Sequence, residues 1–251
     1  MANRFDVRED LHAPAVAARF RRALLRACSR AGRAALVIGM AVACTACGGE
    51  RTYTAEPIAA RIVDADTGAP VEGVNVVAAW QAKGGLEGGN IMGYVTVMED
   101  VTNANGEFSF PSWGPKKWRN GAIRDGAPLL ILFKPGYDAA LLWESKYGVE
   151  FAPSHMSSNW NGKTIGVKKF ERTKDEYSQS YVGLWTVLDT LVLQRDCAWR
   201  GMPRFLKAID RQRQVILQAG GTSVLSSLDA LQDNADKSCG SLKAFVLEHG
   251  Q

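Results

Sequence analysis

Residues 58–76, IAARIVDADTGAPVEGVNV, decide the fold. Ile58 to Asp64 reads as a strand, Asp66-Thr67-Gly68-Ala69-Pro70 as a turn, and Val74 to Trp80 as a second strand rich in valine. Gly68 supplies the positive φ that a tight turn asks for, and Pro70 fixes the exit. Downstream, Gln81 to Gly93 carries Gly84, Gly85, Gly88, Gly89 and Gly93 and reads as a flexible loop. Tyr94 to Thr102 is a third strand, Asn103-Ala104-Asn105-Gly106 a tight turn, and Glu107 to Phe110 a fourth strand ended by Pro111. A polar excursion from Trp113 to Ala127 precedes a strongly apolar strand, Leu129 to Lys134, and the turn Pro135-Gly136-Tyr137. Strands at these intervals, with no helical period between them, predict an antiparallel β-sandwich.

Within this region Ile58, Ile62, Asp64, Thr67, Gly68, Pro70, Gly73 and Val76 follow I-x-x-x-[VI]-x-D-x-x-T-G-x-P-x-x-G-x-x-V. Thr102, Gly106 and Phe108 follow T-x-x-x-G-x-F, and Lys134-Pro135-Gly136-Tyr137 completes the set. The pattern resembles the carboxypeptidase regulatory-like domain, which implies a transthyretin-like sandwich. It spans Ile58 to about Leu142, with Ala60 where the family often has glycine. The resemblance implies no peptidase activity, because in that family the sandwich is an accessory beside a separate zinc catalytic domain.

Helical periodicity begins later. Tyr177, Tyr181, Leu184, Leu188 and Leu191 recur at spacings of four and three, which makes one apolar stripe. Pro203 opens a second helix at its tolerated first turn, with Phe205, Leu206, Ile209 and Ile216 apolar and Gly220-Gly221 at its end. A third segment runs from Ser223 through Leu225, Leu228 and Leu231, with a break expected at Gly240 before Leu242 to Leu247. The expected class is therefore α+β. A signal segment occupies 1–46, a tether 47–56 and the sandwich 57–142; an irregular connection with one added strand covers 143–172, and a helical region 173–251.

Charge locates the first of these parts. The 251 residues carry a formal net charge of +4. Eight arginines against Asp6, Glu9 and Asp10 place +5 of it in residues 1–46, which leaves −1 for the remainder and withdraws a global electrostatic case for nucleic acid. The arginines precede an uncharged apolar run from Ala34 to Ala46, too short for a membrane-crossing helix of about 20 residues and typical of a secretory signal. Thr45-Ala46-Cys47-Gly48-Gly49 resembles a bacterial lipobox. That resemblance implies lipidation of Cys47, anchoring through acyl chains and, with Gly48 following, an outer-membrane lipoprotein facing the periplasm. Cys44, after Ala41-Val42-Ala43, is the second choice of lipidated residue, and an ordinary cleaved signal peptide or a short buried helix is the plainer alternative.

Of five cysteines, Cys28 and Cys44 leave with the signal and Cys47 takes the lipid. Cys197 and Cys239 remain, and an oxidising compartment favours a disulfide between them over two buried thiols.

Catalytic sets are sparse. His12 falls in the signal, His249 is third from the end, and His155 is left as a solvated loop histidine rather than half of a copper site with Met156. No G-x-S-x-G, H-E-x-x-H, Walker lysine loop or Cys/His zinc spacing occurs, so no metal, cofactor or catalytic residue is expected. Asp64, Asp66, Glu99 and Asp100 are the carboxylates to weigh, and turn aspartates usually cap their own backbone. Aromatics offer a binding alternative. Trp113 and Trp118, in a loop with Lys116, Lys117 and Arg119, together with Trp143 and Trp160, could stack on sugars or meet anionic envelope polymers; core packing is the competing role. Trp80, Trp185 and Trp199 are assigned to packing. The expectation is a non-catalytic binding or structural module with an envelope polysaccharide or protein as partner. A carbohydrate- or peptidoglycan-binding module using Trp113, Trp118 and Trp160 is the first rival, and a carboxylate-based envelope hydrolase the second.

Overall fold

The computed structural model describes residues 50–85, 89–123, 128–144, 152–170 and 181–251. The signal segment with Cys44 and Cys47, and Tyr177 of the helical stripe, lie outside these residues. Among the described residues there are eleven strands: β1 (Arg51–Ala55), β2 (Ile58–Asp64), β3 (Asn75–Gly84), β4 (Asn90–Val101), β5 (Glu107–Phe110), β6 (Trp113–Trp118), β7 (Ala122–Ile123), β8 (Leu129–Phe133), β9 (Ala140–Leu142), β10 (His155–Met156) and β11 (Thr164–Val167). Four α-helices follow: α1 (Val182–Leu193), α2 (Pro203–Gln218), α3 (Leu228–Asn234) and α4 (Leu242–His249). The chain is thus α+β, and among the described residues the strands come first and the helices last. No helix among the described residues is long and apolar enough to cross a membrane.

The strands form three sheets, ordered β10-β1-β6, β11-β2-β5 and β4-β3-β8-β9, with β7 also on β3. Alternation along each strand assigns the faces. Val76, Ala78, Trp80 and Ala82 of β3, with Leu130 and Leu132 of β8, point into one core shared with Tyr53, Ile58, Ile62, Phe108, Phe110 and Met156 from the two smaller sheets. Val77 and Ala79, with Leu129, Ile131 and Phe133, point the opposite way into a second core beneath the helices. A strand buried on both faces reads as a continuous apolar run, as 129–133 does; β2, covered on one face only, alternates.

The helices close the second core with the predicted stripe. Tyr181, Leu184, Leu188 and Leu191 are all buried, and Phe133 meets Tyr181 and Phe205 edge-on at 5.7 and 6.0 Å between ring centroids. Pro203 sits in the first turn of α2. The free amides of Arg204 and Phe205 there donate to the Glu99 carboxylate at 3.0 and 2.9 Å, so a strand side chain caps the helix. Ser227 and Ser241 cap α3 and α4 by accepting from Ala230 and Ala244, and the chain breaks at Gly240 between them as expected.

The turn residues converge. The Asp64 carboxylate accepts from the Thr67 amide and hydroxyl, both at 2.9 Å, and the Tyr137 hydroxyl donates to it at 3.4 Å. The buried Thr102 hydroxyl donates to the Val71 carbonyl at 2.7 Å and accepts from the Val74 amide at 2.8 Å. Gly106, at φ +75°, lies so close to the Ile62 carbonyl that a Cβ would collide with it.

Several expectations need correction. Much of the tether is strand: Tyr53 and Ala55 of β1 point into the core, and β1 pairs with β6 and β10. Trp113 to Trp118 is strand β6, not loop, because β1 supplies its ladder. The glycine-rich stretch is mostly hairpin: β3 runs to Gly84, and β4 resumes at Asn90 with irregular register around Trp80 and Ala82. The strand expected within 164–170 is β11, and β10 is a second one in that connection. Both join their neighbours in parallel, β10 to β1 and β11 to β2, so the sheets are not wholly antiparallel.

The outer edge of β4 is covered by a tight turn, Ala198–Gly201, rather than by a strand. Just before it, the Asp196 carboxylate accepts from the Tyr94 amide, and Gly201 lies against the Val97 carbonyl. Covering an edge in this way removes a template for intermolecular pairing.

Candidate functional site

Cys197 and Cys239 are bonded, with their Cα atoms 5.5 Å apart. The bond ties the turn on β4 to the segment before α4, and Arg200 seals it by donating to the Cys239 carbonyl at 2.6 Å while lying over the Trp199 and Phe245 rings.

The tryptophans separate by environment. Trp113 is buried edge-on against Trp80 with centroids 5.3 Å apart, and its indole N–H is enclosed without an acceptor. Trp160 is half-buried against the same core and also encloses its N–H. Both pack on this core, which the partly buried Trp118 also meets. Trp80 and Trp199 are fully buried as expected, whereas Trp185 is 40 % exposed on α1 and donates to the Ser226 hydroxyl at 3.2 Å. Trp143 is exposed beneath the Lys83 ammonium.

Trp118 borders a cleft. The cleft measures ≈ 500 Å³ and is lined by Met92, Trp118, Asn120, Leu193, Gln194, Arg195 and Asp196. Met92 and Leu193 are 40 % and 50 % exposed, and the Trp118 indole N–H donates to the Asn120 carbonyl at 2.6 Å, which fixes the ring. Gly93 is the crossing point: a Cβ there would stand 2.6 Å from the Asp196 carboxylate and 2.8 Å from the Trp118 ring. Only glycine lets the two walls approach this strand together. Asp196 is partly buried, which raises its pKa above the usual aspartate range against the opposing hydrogen bonds from Tyr94 and Ala198. Burial likewise pushes the Tyr94 phenol up to about 12, although Gln81 donates to its hydroxyl.

A broader groove of ≈ 600 Å³ runs over β2 and β5 beside Arg61, Asp100, Glu107 and Lys163. Arg61 donates to the Asn105 carbonyl, Asn103 to Glu107, and the Asp100 carboxylate accepts from the Ser109 amide, so these polar groups serve the adjoining turn and strand edge. The groove has no exposed aromatic in its lining, whereas the Trp118 cleft sets an indole beside amides and a guanidinium.

The remaining candidates are structural. The basic group at 116–119 is partly neutralised: Lys117 and Arg119 both pair with Glu50, at 2.8 and 2.7 Å. The hydrogen bond from Lys117 holds the Glu50 carboxyl below its ordinary range. Lys116 instead turns to the Thr96 hydroxyl at 2.7 Å, and burial lowers its pKa. His155 is exposed between Thr54 and Glu56, and among the described residues no group of three or more His, Cys, Asp or Glu is arranged to hold a metal ion. Of the residues that line this cleft, the sequence singles out Trp118 and not Met92, Asn120 or 193–196, because the cleft joins three segments far apart in the chain and no local pattern marks them.

No family model matches the chain, and no curated protein matches it. Among solved structures, a 9R-lipoxygenase from Cyanothece PCC8801 is similar at a TM-score of 0.22 and 13% identity, covering 66% of this chain. The match covers 26% of that enzyme, and a likeness this slight carries no argument about fold or activity.

Proposed function

We propose that this chain is a lipid-anchored protein of the bacterial cell envelope, held in the outer membrane through Cys47, whose transthyretin-like sandwich and helical layer form a non-catalytic binding or structural module. The observation that carries the reading is the Cys197–Cys239 disulfide, since such bonds persist in oxidising compartments and a lipobox-like signal sends the chain to one. The sandwich reading is supported by the placement of the motif residues. Asp64, Thr67 and Tyr137 meet in one cluster, Thr102 ties the loop before β3 to the end of β4, and Gly106 packs on β2.

The carboxylates favour a module over a hydrolase. Asp64 serves its own turn, Glu99 caps α2, Asp100 holds the β5 edge, Glu144 accepts from Ser158 and Asn159, and Asp196 accepts from Tyr94 and Ala198. Each of these five is occupied with backbone or hydroxyl donors, and Glu107, which shares the groove over β2 and β5 with Asp100, accepts from the Asn103 amide, whereas acid–base catalysis on a glycosidic bond uses two carboxyls about 5–9.5 Å apart that are free to meet the substrate. Labelling with radioactive palmitate tests the anchor: the wild type incorporates label and Cys47→Ala does not. Equal labelling of both would refute it, and loss only in Cys44→Ala would move the anchor to Cys44.

A further inference from the structure

We propose that the Trp118 cleft binds a neutral saccharide, with the indole against the sugar's C–H face and the side chains of Asn120, Gln194 and Arg195 meeting its hydroxyls. The proposal rests on the reading of the chain as a binding module and names its ligand class. The lining joins an indole, the thioether of Met92 and the aliphatic Leu193 to two amides and a guanidinium. That mixture matches a pyranose, which presents apolar C–H faces and a rim of hydroxyls that both donate and accept. Arg195 and Asp196 bring opposite charges, and Arg195 also pairs with Asp236 at 3.6 Å, so the cleft offers no net positive field for a phosphate. A single aromatic side chain in the wall is too few to cage a quaternary ammonium.

The cleft of ≈ 500 Å³ lies within the small-ligand range of about 300–1,000 Å³. The Trp118 and Asp196 parts of its wall are held before any ligand arrives. The Cys197–Cys239 bond holds the turn next to Asp196, the Trp118 N–H is tied to the Asn120 carbonyl, and Gly93 permits their contact. A preformed wall lowers the ordering cost of binding.

Titration calorimetry tests this on the full-length protein in a non-glycosidic detergent, with tri-N-acetylchitotriose and cellotriose as parallel probes. Saturable binding of at least one is expected, weakened about tenfold in Asn120→Ala and again in Arg195→Ala, with melting temperatures unchanged. Binding of chitotriose alone would assign the ligand to an amino-sugar polymer, and equal binding of both to hexose chains in general. Failure of both probes up to about 10 mM, or unchanged affinity in the two variants, would overturn the proposal. If binding fails while palmitate labelling persists, the ligand assignment falls and the anchor stands; the reverse result removes the anchor alone.

Discussion

Replacing Cys197 and Cys239 together by serine removes the cross-link between the turn on β4 and the segment before α4. Their separation of 42 residues gives, in the chain-entropy model, about 4 kcal/mol of stabilisation through the unfolded state. For a chain of this size each kcal/mol moves the melting temperature by about 2–4 °C, so a drop of about 8–16 °C is expected. The loss has a local signature as well. The Tyr94 amide donates to Asp196, and the turn that follows Asp196 covers the β4 edge. Without the bond, hydrogen exchange at Tyr94 and Val97 should accelerate far more than at Val77 and Ile131, which lie in the sheet centre. The uncovered edge should also promote self-association. Thermal melts and residue-resolved exchange on the wild type and the double serine variant make the comparison. A shift under about 2 °C, or unchanged protection at Tyr94, would refute the claim that the disulfide holds the edge cover in place.

Three further outcomes are expected. Glu99→Ala strips the charge-assisted cap from α2 and should cost about 2–3 kcal/mol by chemical denaturation, with Glu99→Gln intermediate; a cost below about 0.5 kcal/mol would show that water replaces the carboxylate. Gly106→Ala combines a left-handed backbone with a collision against the Ile62 carbonyl and should destabilise by about 3 kcal/mol or more. Gly68→Ala, at φ +70° with open space around it, should cost only about 1 kcal/mol, and equal costs would contradict the close-contact account. Asp64 is held below its ordinary value of 3.8, chiefly by the Thr67 amide and hydroxyl, so its contribution is present above that value and lost as pH falls through the lower folded one. The Asp64→Asn variant should therefore show a flatter decline of melting temperature below about pH 4 than the wild type, and parallel curves would refute the role given to Asp64.

Much of the architecture is legible in residues 58–137, because β2 alternates buried and exposed side chains, β3 and β8 carry runs of buried apolar residues, and the turns between them require Asp, Gly and Pro. The helices are legible for a similar reason: Leu184, Leu188 and Leu191 face the same sheet. Strands β1, β6 and β10 are harder to read. Each is short or polar outward, and β1 and β2 take partners about a hundred residues away, as in Thr54 with His155 and Arg61 with Thr164. The segment 113–118, WGPKKW, carries two lysines and a proline and has strand character only because β1 lies beside it. The cleft follows the same logic. Trp118 is visible as an aromatic among cations, but nothing local joins it to Met92 or Asp196, and what does join them is the close approach at Gly93.

Intact-mass spectrometry of the protein extracted from membranes, under non-reducing conditions with an alkylating probe, tests the central claim most directly. The expected product is a chain beginning at Cys47 that carries acyl chains on that residue and takes up no alkyl group, because Cys197 and Cys239 are bonded. A chain that still carries residues 1–46 and exposes both of those thiols to the probe would contradict it.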